Sequence, residues 1–368
     1  MSPDQIASPY ILEASALSVV LGGHKVLEIP SLQVFPNEVL AVIGPNGSGK
    51  TTLLLSLAAL LRPAGGTLRY KGKPVGDGSR LLRLRRQFGV VFQESLLLSG
   101  TVWDNVTLGL RLRKVSGEER ESRARKWLER FGIAPLARRQ AKTLSGGEAK
   151  RVSLARAFAL QPEVLFLDEP FSALDGPTRQ ALLEDFDSAL RDTRVTTVMV
   201  THDRNEALVL ADRVAVMIDG HIRHVGSPQE VFSNPADEEV ASFVEAGNIL
   251  HGVVTSQTGG LASVQVGEHQ LDAVSDMGPG TQVSVLLGFE DVSLSVPSQQ
   301  PSPSSARNQL PGKIVKIFPI GPQVRITVDS GFPVVALITR RSLEELGLGA
   351  GQHVVSSFKA SSVRLIPR

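Results

Sequence analysis

The chain has 368 residues, 42% of them hydrophobic and 21% charged, an ordinary globular composition with length for about two domains. A formal net charge of +2 supplies no field for nucleic acid, so no nucleic-acid partner is expected. The absence of cysteine excludes disulfides and thiolate metal sites. No apolar run approaches the ~20 residues that span a bilayer, and Met1-Ser2-Pro3-Asp4-Gln5 lacks the basic flank and apolar stretch of a signal peptide.

Residues 11–40 alternate apolar and polar positions around Gly22-Gly23-His24, which predicts an antiparallel hairpin. Val39-Leu40-Ala41-Val42-Ile43 then runs into Gly44-Pro45-Asn46-Gly47-Ser48-Gly49-Lys50-Thr51, and a helical pattern follows to about residue 61. Strand, glycine-rich turn and helix form the setting in which GxxxxGK[ST] cradles nucleotide phosphates. The three glycines let backbone N–H groups approach an anion, and the helix start adds free N–H groups and its positive dipole end. Lys50 would reach the β- and γ-phosphates and the Thr51 hydroxyl would ligate Mg²⁺, with Thr52 next in the turn.

A short hairpin is expected over 67–75, then a basic stretch at 81–86 and a buried-type strand at 88–92 ending at Gln93. Residues 101–140 turn helical and heavily charged, read as a solvated face. Leu144-Ser145-Gly146-Gly147-Glu148 precedes a helix over 149–160, with Ser145 able to cap it. Val164-Leu165-Phe166-Leu167 is apolar throughout, as in the middle of a parallel sheet, and Asp168-Glu169 stand at its end. A helix over 178–192 leads to a second buried strand over 195–200, tipped by Thr201-His202-Asp203. Acidic and histidine side chains thus gather at strand carboxyl ends, where open α/β sheets bind ligands.

From about Gly247 the pattern becomes short β-type runs with glycine turns, interrupted by a Pro/Ser/Gln linker at 297–305. Gly278-Pro279-Gly280-Thr281-Gln282-Val283 and its sequel align with Gly349-Ala350-Gly351-Gln352-His353-Val354 and its sequel. Two related small barrel halves, 247–296 and 306–368, are expected.

Taken together, GPNGSGKT at 44–51, Gln93 after VVF, LSGGE at 144–148, VLFLDEP at 164–170, SALD at 172–175 and THD at 201–203 resemble the ATP-binding subunit of an ABC transporter. The resemblance covers about residues 11–246. It implies an α/β fold: a P-loop NTPase core with an antiparallel β subdomain and a helical subdomain at about 94–160, followed by a small all-β, OB-like barrel. The expected domains are 1–246 and 247–368.

The resemblance also implies ATP and Mg²⁺ as cofactors, and a head-to-tail dimer in which each ATP lies between one copy's phosphate loop and the other's Ser145, Gly146 and Gly147. Catalytic roles fall on Glu169 for the attacking water, His202 for the γ-phosphate and Gln93. Metal contacts fall on Thr51, Gln93 and Asp168. Permease subunits, and indirectly a substrate-binding protein, would be partners, with the chain peripheral at the cytoplasmic face of the membrane. Leu21 stands where the family usually places an adenine-stacking aromatic.

Ser305-Ala306-Arg307-Asn308, Thr339-Arg340-Arg341-Ser342 and Lys359-Ala360-Ser361 resemble the molybdate-binding barrel domain of molybdate and tungstate importers. That makes Ser305, Arg307, Thr339, Ser342, Lys359 and Ser361 candidate oxyanion ligands, built from hydroxyls, N–H groups and cations that suit a tetrahedral dianion. The first half has Phe289-Glu290-Asp291 at the matching place, so no anion is expected there. The alternatives are an importer ATPase for sulfate, iron, sugar or polyamine with a structural tail, a soluble ABC ATPase, and an oxyanion sensor.

Overall fold

A computed structural model describes residues 9–297 and 304–368. Met1-Ser2-Pro3-Asp4-Gln5 and linker positions 298–303 lie outside the described residues. The chain forms two compact units that part between Val231 and Phe232, ahead of the expected boundary after Ala246. The reason is the helix Glu238–Phe243, whose Glu238 carboxylate takes the Ser284 hydroxyl of the second unit at 2.5 Å.

In the first unit, five parallel strands and one antiparallel edge make a six-stranded sheet. Its spatial order is Phe88–Val91, Val164–Asp168, Thr196–Thr201, Val39–Ile43, Arg213–Ile218 and His221–Gly226. Every residue of Val39–Ile43, Val164–Asp168 and Thr196–Thr201 is buried, as expected of parallel strands covered on both faces. Register sets Ile43 opposite Thr201 and Asp168 opposite Val200, so the segments that leave these strands start side by side. The expected hairpin is Leu12–Leu21 with His24–Val34, and it joins Gly65–Tyr70 and Lys73–Pro74 in a four-stranded antiparallel sheet.

The helix after the phosphate loop spans Lys50–Leu57 and stops short of the expected residue 61. Ala59 adopts a left-handed conformation, φ +54°, and the Arg85 guanidinium forks onto its carbonyl oxygen at 2.9 and 2.6 Å. Arg85 comes from a helix, Ser79–Arg85, in the stretch distinguished in the sequence only by its basic charge. The helical region holds Val102–Leu112, Gly117–Arg130 and Gly146–Ala159. Glu119–Arg123 and Glu121–Arg125 pair one turn apart on the charged helix, as a solvated face should. Its apolar side sets Trp127 4.5 Å from Phe158, which meets Phe186 edge-on at 5.8 Å, so one aromatic chain ties this region to the helix Gly176–Thr193.

The second unit contains two five-stranded antiparallel sheets around one apolar core. The first runs His269–Val274, Leu261–Val266, Asn248–Thr258, Gln282–Leu287, Val363–Pro367; the second runs Ser293–Ser295, His353–Phe358, Asn308–Ile320, Gln323–Asp329, Pro333–Thr339. The halves are therefore related but not separate: each lends its last strand to the other's sheet. Two asparagines lock the exchange. Asn248 accepts from the Val335 N–H at 2.7 Å and donates to its carbonyl at 2.9 Å; Asn308 makes the same pair with Asp272 at 2.7 and 2.9 Å. Asn248→Ala takes this partner from the partly buried Val335 N–H and carbonyl and should cost ~1–2 kcal/mol, read as an earlier unfolding transition in denaturant with ATP binding unchanged.

Candidate nucleotide site

The phosphate loop takes its shape from two different glycine effects. Gly47 and Gly49 have φ +82° and +99°, a region open to glycine. Gly44 is glycine for space instead: a Cβ there would lie 2.0 Å from the Met217 carbonyl oxygen of the neighbouring strand. Pro45, Asn46 and Gly47 are exposed, Ser48 is buried and Thr52 is half-buried. The helix Lys50–Leu57 has no side-chain cap and no acidic residue in its first turn, which leaves its N-terminal N–H groups to an anion.

Lys50 is buried, and its Nζ donates to the Gly44 and Pro45 carbonyls at 2.9 Å each. Burial pushes the Lys50 pKa down, while the Glu169 and Asp168 carboxylates push it back up. An ammonium has three N–H bonds, so one remains for a phosphate oxygen. Thr51 Oγ1 donates to Asp168 Oδ1 at 3.1 Å. Burial also raises the Asp168 pKa, against the Thr51 hydrogen bond and with the help of Glu169.

Glu169 stands one residue beyond this strand, and its carboxylate is held from both sides. Gln93 Nε2 donates to Oε2 at 3.1 Å, and His202 Nδ1 lies 3.1 Å from Oε1. An ionised carboxylate only accepts, so the hydrogen of that second contact sits on Nδ1. Two expected residues, each from beyond a different strand, thus converge on the carboxylate of a third. Behind His202 lies a group that sequence reasoning missed. Arg179 bridges Asp203 and the buried Glu206, Thr201 Oγ1 donates to Glu206, and Asp203 Oδ1 caps the helix Arg204–Leu210 through Asn205 N at 2.7 Å. The signal was an acidic residue and an arginine in helices of mixed polarity, which any solvated face also offers.

Ser145, Gly146 and Gly147 lie elsewhere. Ser145 caps the helix Gly146–Ala159 in a capping box with Glu148, the Ser145 N–H donating to Glu148 Oε2 at 2.7 Å. The concavity they line also includes Asp175 and Thr178, and no residue of the phosphate loop. Leu21 is exposed at the end of its strand.

In the second unit five of the six oxyanion candidates fall in two places. Arg307 stands 3.9 Å from Asp272, and the turn Ala360–Ser362 that holds Ser361, entered through Lys359, packs on the same strand, His269–Val274. Thr339 caps the helix Arg340–Glu345, its Oγ1 accepting from Ser342 N at 3.1 Å and lying 2.8 Å from Ser342 Oγ. The sixth, Ser305, is exposed at the end of the linker.

Gly44→Ala should displace the strand-to-loop junction from the Met217 carbonyl and cost ~1–3 kcal/mol. A denaturant melt reads that loss, and titration with a fluorescent ATP analogue should show weakened binding.

The ABC transporter family profile matches residues 27–172 and the TOBE domain profile residues 304–365. A molybdate/tungstate import ATP-binding protein of Pyrococcus horikoshii is 35% identical over 97% of this chain and 100% of the relative. A sulfate/thiosulfate import ATP-binding protein of Yersinia pseudotuberculosis is 36% identical over 86% of this chain and 85% of its own length. Among solved structures, cbiO1 of Clostridium perfringens, part of an ABC transporter complex, superposes with a TM-score of 0.58 at 30% identity, covering 64% of this chain and 95% of that one. An ATP-binding cassette in a dimeric, post-hydrolysis state with ADP and Pi gives 0.55 at 29% identity, covering 59% and 98%. The nucleotide-loop geometry and this likeness over nearly the whole chain lead to one conclusion: the chain belongs to the ABC transporter family, as an ATP-hydrolysing subunit of an importer.

Proposed function

We propose that this chain hydrolyses ATP to drive uptake of a tetrahedral oxyanion, molybdate or tungstate, by closing head to tail on a second copy of itself. Permease subunits above the pair would receive the anion from a substrate-binding protein, with the chain peripheral at the cytoplasmic face. Among the described residues no helix is long and apolar enough to cross a membrane. The observation that carries the catalytic reading is the Glu169 carboxylate gripped by Gln93 and His202 at 3.1 Å on either side, at strand ends adjacent to the Lys50 loop.

In this reading residues 44–52 wrap the phosphates with N–H groups and Lys50 supplies its remaining N–H. Thr51 and Asp168 fit Mg²⁺: two hard oxygens 3.1 Å apart suit an ion completed by phosphate oxygens and water. Bound there, Mg²⁺ would offset the charge that develops on the transferred phosphoryl group. Gln93 would add an amide oxygen to that shell. Glu169 accepts the proton of the attacking water, and His202 orients the carboxylate and contacts the γ-phosphate. Ser145, Gly146 and Gly147 would face the partner copy's ATP; Ser145 and Gly146 are exposed, and the concavity all three line includes no residue of the chain's own phosphate loop, which supports that assignment. Glu169→Gln should slow hydrolysis ~10²–10⁴-fold while ATP binding persists, so that the Mg-ATP dimer becomes long-lived on size exclusion; a parental rate would remove Glu169 from the mechanism.

For the cargo, support comes from the molybdate/tungstate relatives that match nearly the whole chain and from the cations and hydroxyls of the tail. Arg307, Lys359 and Ser361 make one half-site; Thr339 and Ser342 make another, which suits a site completed by a second copy's tail. The sulfate/thiosulfate relative, at 36% identity, favours a second reading in which sulfate is carried and the tail only braces the dimer. Calorimetric titration of the full chain with molybdate, tungstate and sulfate separates them. Binding of the first two, lost in Arg307→Ala with Lys359→Ala, is expected; no heat from any of them would leave the tail structural.

A further inference from the structure

The helix Gly146–Ala159 carries more than the serine at its start. Lys150, Ser153 and Arg156 follow one another at three-residue steps, which keeps successive members adjacent on the helix surface. Each donates to a backbone carbonyl of the segment that begins at Gln93. Lys150 Nζ donates to the Gln93 carbonyl, Ser153 Oγ to the Ser95 carbonyl at 2.7 Å, and the Arg156 guanidinium to the Leu96 and Ser95 carbonyls at 3.0 and 3.2 Å. Lys150 and Ser153 are only 5% and 1% exposed. Burying an ammonium costs free energy unless its donors are used, and Lys150 uses a second one on the Glu169 carbonyl oxygen at 3.4 Å.

Glu169 is the residue that needs such a hold. Its φ is +43°, a conformation that costs a non-glycine residue ~1–3 kcal/mol and persists only where the surroundings enforce it. Its N–H donates to the Val200 carbonyl at 3.0 Å, and its carbonyl accepts from Ser172 N and Oγ at 3.2 and 2.9 Å besides Lys150. Of these partners, Lys150 alone also holds Gln93.

We propose that Lys150 is a positioning residue for hydrolysis, clamping the Gln93 and Glu169 backbones together so that their side chains meet, and tying that geometry to the helix headed by Ser145. Lys150 acts through these two residues and contacts neither the nucleotide nor the attacking water. The inference rests on Glu169 being the general base. A shift of under an ångström at the Glu169 carboxylate is the failure expected when the clamp is lost, and misplacements of about 1 Å cost up to ~10²-fold in rate.

The test is steady-state ATPase kinetics on the full chain for the parent, Lys150→Met, Lys150→Gln and Glu169→Gln. Lys150→Met keeps the stem and removes the donors: kcat should fall ~10–100-fold with KM for ATP within about 2-fold, because the Lys50 loop is untouched. Lys150→Gln keeps amide donors and should recover most of the rate, remaining about 2–5-fold below the parent. Lys150→Met should also persist as a dimer in Mg-ATP on size exclusion, which a merely destabilised chain would not do. Parental kcat in Lys150→Met overturns the clamp, as does a joint loss of kcat and ATP affinity that Lys150→Gln fails to rescue. Should Lys150→Met not fold, Lys150→Gln decides alone: a lowered kcat at unchanged KM supports the clamp, and a parental kcat ends it. Glu169→Gln keeps the two readings apart. Hydrolysis at the parental rate there removes the general-base assignment, whereas an inert Glu169→Gln beside an unimpaired Lys150→Met overturns only the clamp.

Discussion

Parallel strands covered on both faces have no side along which a charged group can reach water, and the rest of the first unit follows from that constraint. Val39–Ile43, Val164–Asp168 and Thr196–Thr201 lie adjacent and buried throughout, so polar chemistry is confined to where the chain leaves them. Because the strands are parallel, their exits fall on one edge, and the register aligns them. The phosphate loop, the Asp168-Glu169 pair and the Thr201-His202 pair are brought together by backbone ladders before any side chain of the site makes a contact.

The consequence is electrostatic crowding at that edge. Lys50, Asp168 and Lys150 are each at most 7% exposed, and desolvation works against their charged forms. The chain answers with local hydrogen bonds: carbonyls for the two lysines and the Thr51 hydroxyl for Asp168. Glu169, less buried, is held by side chains from two other segments and by its own strained backbone. A site built this way is set before it binds, because its groups are already fixed by bonds unrelated to the nucleotide.

The parts legible in the sequence are those whose physics is local. A glycine-rich turn between an apolar run and a helix, a capping serine before GGE, and acidic or histidine residues at the ends of apolar runs each announce themselves within a dozen residues. What escaped depends on distant partners or on single torsions. Lys150 meets Gln93 across 57 positions and Arg179 meets Glu206 across 27, and neither pairing has a periodic signature. Ala59 ends its helix through one left-handed torsion in a good helix former. Gly44 resembled its neighbouring glycines, yet the Met217 carbonyl, far along the chain, is what forbids a side chain there. In the tail, alternation fixes which face of a strand is buried but not which sheet receives it, so the repeat was visible and the exchange of final strands was not. Asn248 and Asn308, with Gly252 and Gly312 four residues on, were the overlooked mark of that symmetry.

The exchange of final strands also sets the order in which the tail can be made. The sheet that begins at Asn248 has no partner for Gln282–Leu287 on its far side until Val363–Pro367 has been synthesised. On a ribosome, the first half therefore waits with an open β edge while the whole second half emerges. Closing the sheet pairs positions some 80 residues apart, the kind of non-local contact that slows folding. An unpaired edge of that kind invites strands from other chains. The tail thus needs protection during synthesis until its last strand is made.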